Sequence, residues 1–174
     1  MCSFIRYAAS GVLFFLFHSY AFSDDLIDRK DWQLVEIESL AATSDYQFRH
    51  KKTDGYLLVT GDFNGDGVTD RAEISKKNTN ETYGLIAYVS RGTEGYDQHI
   101  LNEGDWSIFS RMGISREDPG EYKTACGKGY GRCKSDAPLS VSFPYDAINF
   151  FMFDSASMFF IYKNDSFYTV WISD

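Results

Sequence analysis

The sequence predicts a mainly β fold, with a β-rich α+β arrangement as the alternative: one domain of antiparallel strands, an oxygen-rich loop between two of them and a C-terminal three-stranded meander. Two observations carry this. Residues 82–90 alternate, with Tyr83, Leu85, Ala87 and Val89 on one side and Ile86 and Tyr88 on the other. Residues 147–153, 158–162 and 167–172 form three apolar runs of strand length, and the spacers between them are hairpin-sized.

Residues 1–23 read as a secretory signal. Arg6 supplies the positive start, residues 8–17 an apolar core too short to anchor stably in a bilayer, and Ala21-Phe22-Ser23 a cleavage site before Asp24. The remaining residues, 24–174, suit a single exported domain with a real core. No second apolar run of transmembrane length follows, so a soluble periplasmic or secreted protein is expected. Removing Arg6 leaves 16 Lys and Arg against 25 Asp and Glu, a formal charge of −9. That balance argues against nucleic acid as a partner and favours cations or a protein with a basic face.

From Asp24 to Leu40 the spacing fits a helix face (Leu26, Ile27, Leu34, Ile37) as well as a strand around Trp32 and Leu34; a short helix followed by a strand is expected. Residues 41–54 are polar and turn-rich, which predicts an exposed edge. Residues 56–60 and 71–75 then carry strand signals on either side of the most informative stretch in the chain.

That stretch is Gly61-Asp62-Phe63-Asn64-Gly65-Asp66-Gly67-Val68-Thr69-Asp70, with Glu73 three residues on. In the numbering of a twelve-residue calcium loop, Asp62, Asn64 and Asp66 occupy positions 1, 3 and 5, Gly67 position 6, Asp70 position 9 and Glu73 position 12. Carboxylates, one amide and the Val68 backbone carbonyl suit Ca2+ better than Mg2+ or Zn2+, and no Cys or His lies nearby. A solvated turn is the competing reading, because Asn-Gly and Asp-Gly are also hairpin signals. An EF-hand would need amphipathic helices on both sides; Gly55, Gly61 and β-branched residues stand there instead, so the loop is expected to join strands.

Residues 59–74 resemble one calcium-loop unit of the FG-GAP or VCBS repeats of integrin-type β-propellers and exported bacterial proteins. The resemblance spans about residues 56–90 and includes a single unit, so it does not imply a propeller. It implies ligands at Asp62, Asn64, Asp66, the Val68 carbonyl and Asp70, with Glu73 on the outgoing strand and not required to coordinate. It names no activity.

Beyond the loop, residues 91–95 turn the chain and 96–101 can return as a hairpin partner for 82–90. Trp106, Ile108 and Phe109 open another apolar piece, ended by the turn cluster 116–120. The C-terminal runs are apolar on both faces, which places them between two layers or leaves one face for a partner.

With Cys2 inside the signal, Cys126 and Cys133 are left as an even pair, and an oxidising compartment makes a disulfide the expected use; a metal or redox pair is the rival. In a strongly acidic chain the cations and tyrosines of residues 122–134 gather around that pair. This segment is either a stapled hairpin that solvates an edge or a pre-ordered recognition plug in which Lys128, Tyr130 and Arg132 contact a partner.

Nothing here singles out a catalytic constellation. His50 and His99 are the histidines outside the signal, and both read as surface residues far from any nucleophile motif. The expected function is therefore a calcium-stabilised protein-binding module, an inhibitor or immunity protein that neutralises a secreted enzyme or toxin. The alternatives are a calcium-dependent hydrolase and a polysaccharide-binding module.

Overall fold

The computed structural model describes residues 27–173 apart from Lys30, Ser44, Asn80 and Arg132, so the signal segment and its cleavage site lie outside the described residues. The strands are β1 Trp32–Leu34, β2 Leu58–Gly61, β3 Asp70–Lys77, β4 Thr82–Ser90, β5 Tyr96–Asp105, β6 Met112–Glu117, β7 Gly120–Lys123, β8 Ser140–Phe143, β9 Ala147–Met152, β10 Ser157–Lys163 and β11 Ser166–Ser173. Every pairing between them is antiparallel, and the mainly β expectation holds. Among the described residues, no helix is long and apolar enough to cross a membrane.

The first sheet runs β1-β3-β4-β5, with β2 in line with β1 along the same side of β3. The second runs β11-β10-β9-β6, and β7 with β8 makes a separate hairpin. One core joins the two large sheets: Val59, Ala72, Ile74, Leu85 and Ala87 from the first meet Ile114, Ile148, Phe150 and Phe160 from the second. Tyr83 and Val89 continue that face of β4, while Ile86 and Tyr88 turn to the other side against Trp32. Both faces of β4 are buried, as its two-sided apolar pattern requires.

The C-terminal meander forms as the spacing predicts, β9 pairing with β10 and β10 with β11. Its second apolar face is covered from within the chain. The β7–β8 hairpin lays Tyr122, Val141 and Phe143 over Ala147, Phe159, Ile161 and Ile172, so sheet two sits between two layers.

Two segments depart from the sequence expectation. The strand expected around Trp32 and Leu34 forms as β1, but among the described residues no helix precedes it, and a 3-10 turn, Ile37–Leu40, follows. The reason is the Trp32 indole, which lies over Gly84 where a Cβ would collide with the ring and so fixes β1 beside β3. The polar run 41–54 is not all exposed edge either; it contains the one-turn helix α1 Tyr46–Arg49, with Arg49 fully buried.

His99 is also not a simple surface residue. Its ring packs edge-on against Tyr162 and Phe167, and its Nε2 is buried without a hydrogen-bond partner among the described residues. Burial holds its pKa below the ordinary 6.5, against a smaller opposing pull from the Asp97 charge. As pH falls through 6.5 the unfolded chain therefore takes up a proton that the folded imidazole refuses, and stability is lost. His99 alone would lower the urea midpoint between about pH 7.5 and 5.5, while buried Asp70, its pKa pushed up to about 7, works in the opposite direction over the same range. His99→Gln should remove the downward part relative to the parent protein, whereas identical slopes for the two proteins would contradict the assignment.

Candidate functional site

The loop between β2 and β3 is wrapped around its own acids. Asp62 accepts from the amide of Gly65 with one oxygen (2.7 Å) and from that of Gly67 with the other (3.0 Å). Asn64 Oδ1 accepts from Asp66 N (3.0 Å), and Asp66 Oδ1 from Val68 N (2.7 Å). Each oxygen-bearing residue therefore caps the amide two to five positions ahead, which coils the backbone inward. Gly65 and Gly67 take φ values of 81° and 79°, the left-handed region that a side chain resists.

Asp70 closes the coil from β3. It is fully buried; Oδ2 accepts from Phe63 N (2.7 Å) and Asn64 N (3.3 Å), and Oδ1 from Ser90 N (2.7 Å). Burial pushes its pKa up to about 7, only partly offset by those amides, and the nearby Asp66 charge adds to the rise. Among the described residues no Lys or Arg pairs with Asp70. No three His, Cys, Asp or Glu side chains among them stand at metal-holding distance either. The donor set nonetheless includes an amide and a backbone carbonyl, and its buried carboxylate lacks a counter-charge.

Glu73 is engaged elsewhere. It points to the far side of β3, fully buried, and accepts from Arg29 through both oxygens (2.8 and 3.1 Å), with Arg71 Nε 2.8 Å away. Ser75 Oγ and the Tyr88 hydroxyl complete its surroundings at 3.2 and 3.5 Å. Burial, and then the Glu73 charge, raise the Tyr88 pKa. The twelfth position of the loop numbering thus serves an ion cluster and not the loop.

Three contacts of the loop were not legible in the sequence. Asn64 Nδ2 donates to the Ser90 carbonyl (3.1 Å), tying the loop to β4. Asp146 accepts from Asp62 N (3.0 Å) and its own amide donates to Asp62 O (3.1 Å), tying the loop to the β8–β9 turn. The Tyr145 ring lies flat over Gly65, where any Cβ would enter the ring face. All three partners come from segments distant in sequence.

Cys126 and Cys133 form a disulfide, with an S–S distance of 2.08 Å and Cα atoms 5.8 Å apart. The segment they close joins β7 to β8 and rests on β11. Ala125 N donates to the Trp171 carbonyl (2.8 Å) and Tyr130 N to the Ala125 carbonyl (2.9 Å). Buried Thr124 organises the turn, donating through Oγ1 to Pro138 O (2.6 Å) and accepting from Gly127 N (3.1 Å). A Cβ at Gly127 would collide with the Leu139 carbonyl, so this close approach requires glycine.

Of the expected contact residues, Lys128 spends its ammonium on the Ile172 carbonyl (2.9 Å), Tyr130 is 46% exposed, and Arg132 lies outside the described residues. Two exposed apolar residues join Tyr130 through these hydrogen-bonded segments: Leu139, 68% exposed, and Trp171, 54% exposed. Exposed Lys123 and Lys134 flank them. Trp171 was hidden in the sequence because it sits in a strand of otherwise core-like composition.

Comparison with known proteins finds no matching family model, no matching curated protein and no matching solved structure.

Proposed function

We propose that this is an exported, calcium-stabilised protein-binding module, an inhibitor or immunity protein that neutralises a secreted enzyme or toxin. The observation that carries it is that three large exposed side chains, Tyr130, Leu139 and Trp171, sit on segments joined by backbone hydrogen bonds and closed by a disulfide. Large aromatics on pre-ordered backbone are the usual anchors of tight interfaces, because little entropy is lost when they dock. The surrounding lysines favour an acidic rim on the partner.

The test is capture from exported proteins followed by inhibition. A supporting result is an identified hydrolase or toxin whose activity falls on stoichiometric addition of the protein. Trp171→Ala and Tyr130→Ala should each weaken that complex at least about tenfold, or about 1.4 kcal/mol. Binding that is indifferent to both substitutions would remove these residues from the interface.

The calcium part of the proposal rests on the loop resemblance and on Asp70. A bound Ca2+ held by Asp62, Asn64, Asp66, the Val68 carbonyl and Asp70 would supply the counter-charge that this buried carboxylate lacks. With the affinity usual for extracellular modules, about 10 mM calcium should stabilise the fold by about 1.4–2.7 kcal/mol over EDTA. That corresponds to a melting rise of roughly 3–10 °C, which Asp66→Ala should abolish. A melting curve unmoved by either reagent speaks for a self-capped turn.

A further inference from the structure

A cavity of about 470 Å³ opens between the calcium-type loop, the β8–β9 turn and the tip of the β10–β11 hairpin. Phe143 and Ile161 form part of its apolar lining, and Tyr145, Tyr162 and Tyr168 stand around it. Tyr145 and Tyr168 are 43% and 39% exposed, an unusual state for two rings lining one groove. One face of Tyr145 lies against Gly65, which fixes the ring where it lines the groove. Between these rings the wall is polar: Asn64, Asn164 and Asp165 line the groove with Lys163. Asn164 and Asp165 form the hairpin tip in left-handed backbone, φ 51° and 59°.

We infer that this groove is a carbohydrate-binding site for a neutral glycan chain. A pyranose ring presents an apolar C–H face and a rim of hydroxyl groups. Flat aromatic faces interleaved with amide and carboxylate side chains complement both parts at once, and the cavity lies within the usual range for ligand sites. A purely apolar ligand would leave the Asn and Asp groups desolvated without partners. An anionic ligand gains no net attraction, since Lys163 in the lining is offset by Asp165 beside it at the hairpin tip. Burial, and then the charges of Asp165 and Asp97, raise the Tyr162 pKa, which is consistent with a negative potential in the groove. An organic ammonium ion would suit that potential but leave the Asn164 amide in the wall without work to do.

This inference does not depend on the partner-docking proposal. Tyr168 and Trp171 are an odd number of residues apart on β11, so they project to opposite faces of sheet two. The experiment is affinity electrophoresis and calorimetry of the full protein against three probes: neutral polysaccharides, a polyuronate and a quaternary ammonium salt. Retardation by a neutral glycan is expected, with Tyr168→Ala and Asn164→Gly each weakening it at least tenfold and Trp171→Ala leaving it unchanged. Asn164→Gly keeps the left-handed turn while removing the amide, so the readout survives any loosening caused by the tyrosine variants. No binding across a broad neutral panel, binding only to the polyuronate or the ammonium, or binding indifferent to both groove variants would overturn the assignment.

Discussion

Arg49→Met is expected to destabilise the protein by about 3–5 kcal/mol, a fall in melting temperature on the order of 10 °C. The guanidinium is fully buried and bonded to three main-chain carbonyls from two separate segments: Gly55 (3.0 Å), and Phe109 (3.3 Å) with Met112 (2.6 Å). It also lies over the rings of Phe109 and Phe153, 5.3 and 5.2 Å from their centroids. Burial lowers its pKa to about 10, against a smaller upward pull from Asp45, so it remains charged at neutral pH. Methionine fills much of the volume but removes the donor to the Gly55 and Met112 carbonyls, Phe109 O keeping the Met112 amide, and each buried unsatisfied acceptor costs about 1–3 kcal/mol. Arg49→Lys should recover little, because one ammonium group cannot reproduce the planar fork that reaches Gly55, Phe109 and Met112 together. Urea denaturation measures all of this; a loss below about 1 kcal/mol in the Met variant would show that water replaces the guanidinium readily.

That residue also marks the boundary between what the chain reveals locally and what tertiary structure decides. β4 and the three strands of the C-terminal meander were legible because alternation and hairpin-sized spacers are properties of a dozen residues at a time. Arg49 stands among Phe48, His50, Lys51 and Lys52, where a charged residue signals solvent. Its burial is imposed by carbonyls up to 63 residues away. The helix expected before β1 is missing among the described residues for a related reason: the spacing there fits a helix and a strand equally, and the Trp32 contact with Gly84 that decides for the strand is non-local. At the candidate site the spacing of Asp62, Asn64, Asp66 and Gly67 foretold a coiled loop joining strands. It could not foretell that Asp146 and Tyr145 would brace that loop, or that Glu73 would face away from it.

Glu73 gives the sharpest separation between loop chemistry and fold chemistry. Glu73→Gln preserves shape while removing the charge that Arg29 and Arg71 share, and breaking this buried ion cluster should cost about 3–5 kcal/mol. Glu73 is fully buried and the two arginine side chains are largely so, at 18% and 11% exposure, hence solvent cannot screen the loss as it would at an open surface pair. The cost should extend beyond β3, because Arg29 belongs to the N-terminal segment that packs Ile27 against Tyr88 and Trp32 on the outer face of the first sheet. Loosening that segment exposes the second side of β4, and amide exchange there should quicken together with the fall in stability. The calcium response should be untouched. Melting curves of Glu73→Gln in EDTA and in calcium are expected to be displaced downward in parallel, keeping the parent protein's separation between them. If the separation vanished, Glu73 would be a ligand after all and the Arg29–Glu73–Arg71 cluster would be secondary to it. If it persists while Asp66→Ala abolishes it, the cation belongs to the loop alone and the buried cluster beneath is what fixes β3, and with it Asp70, in position.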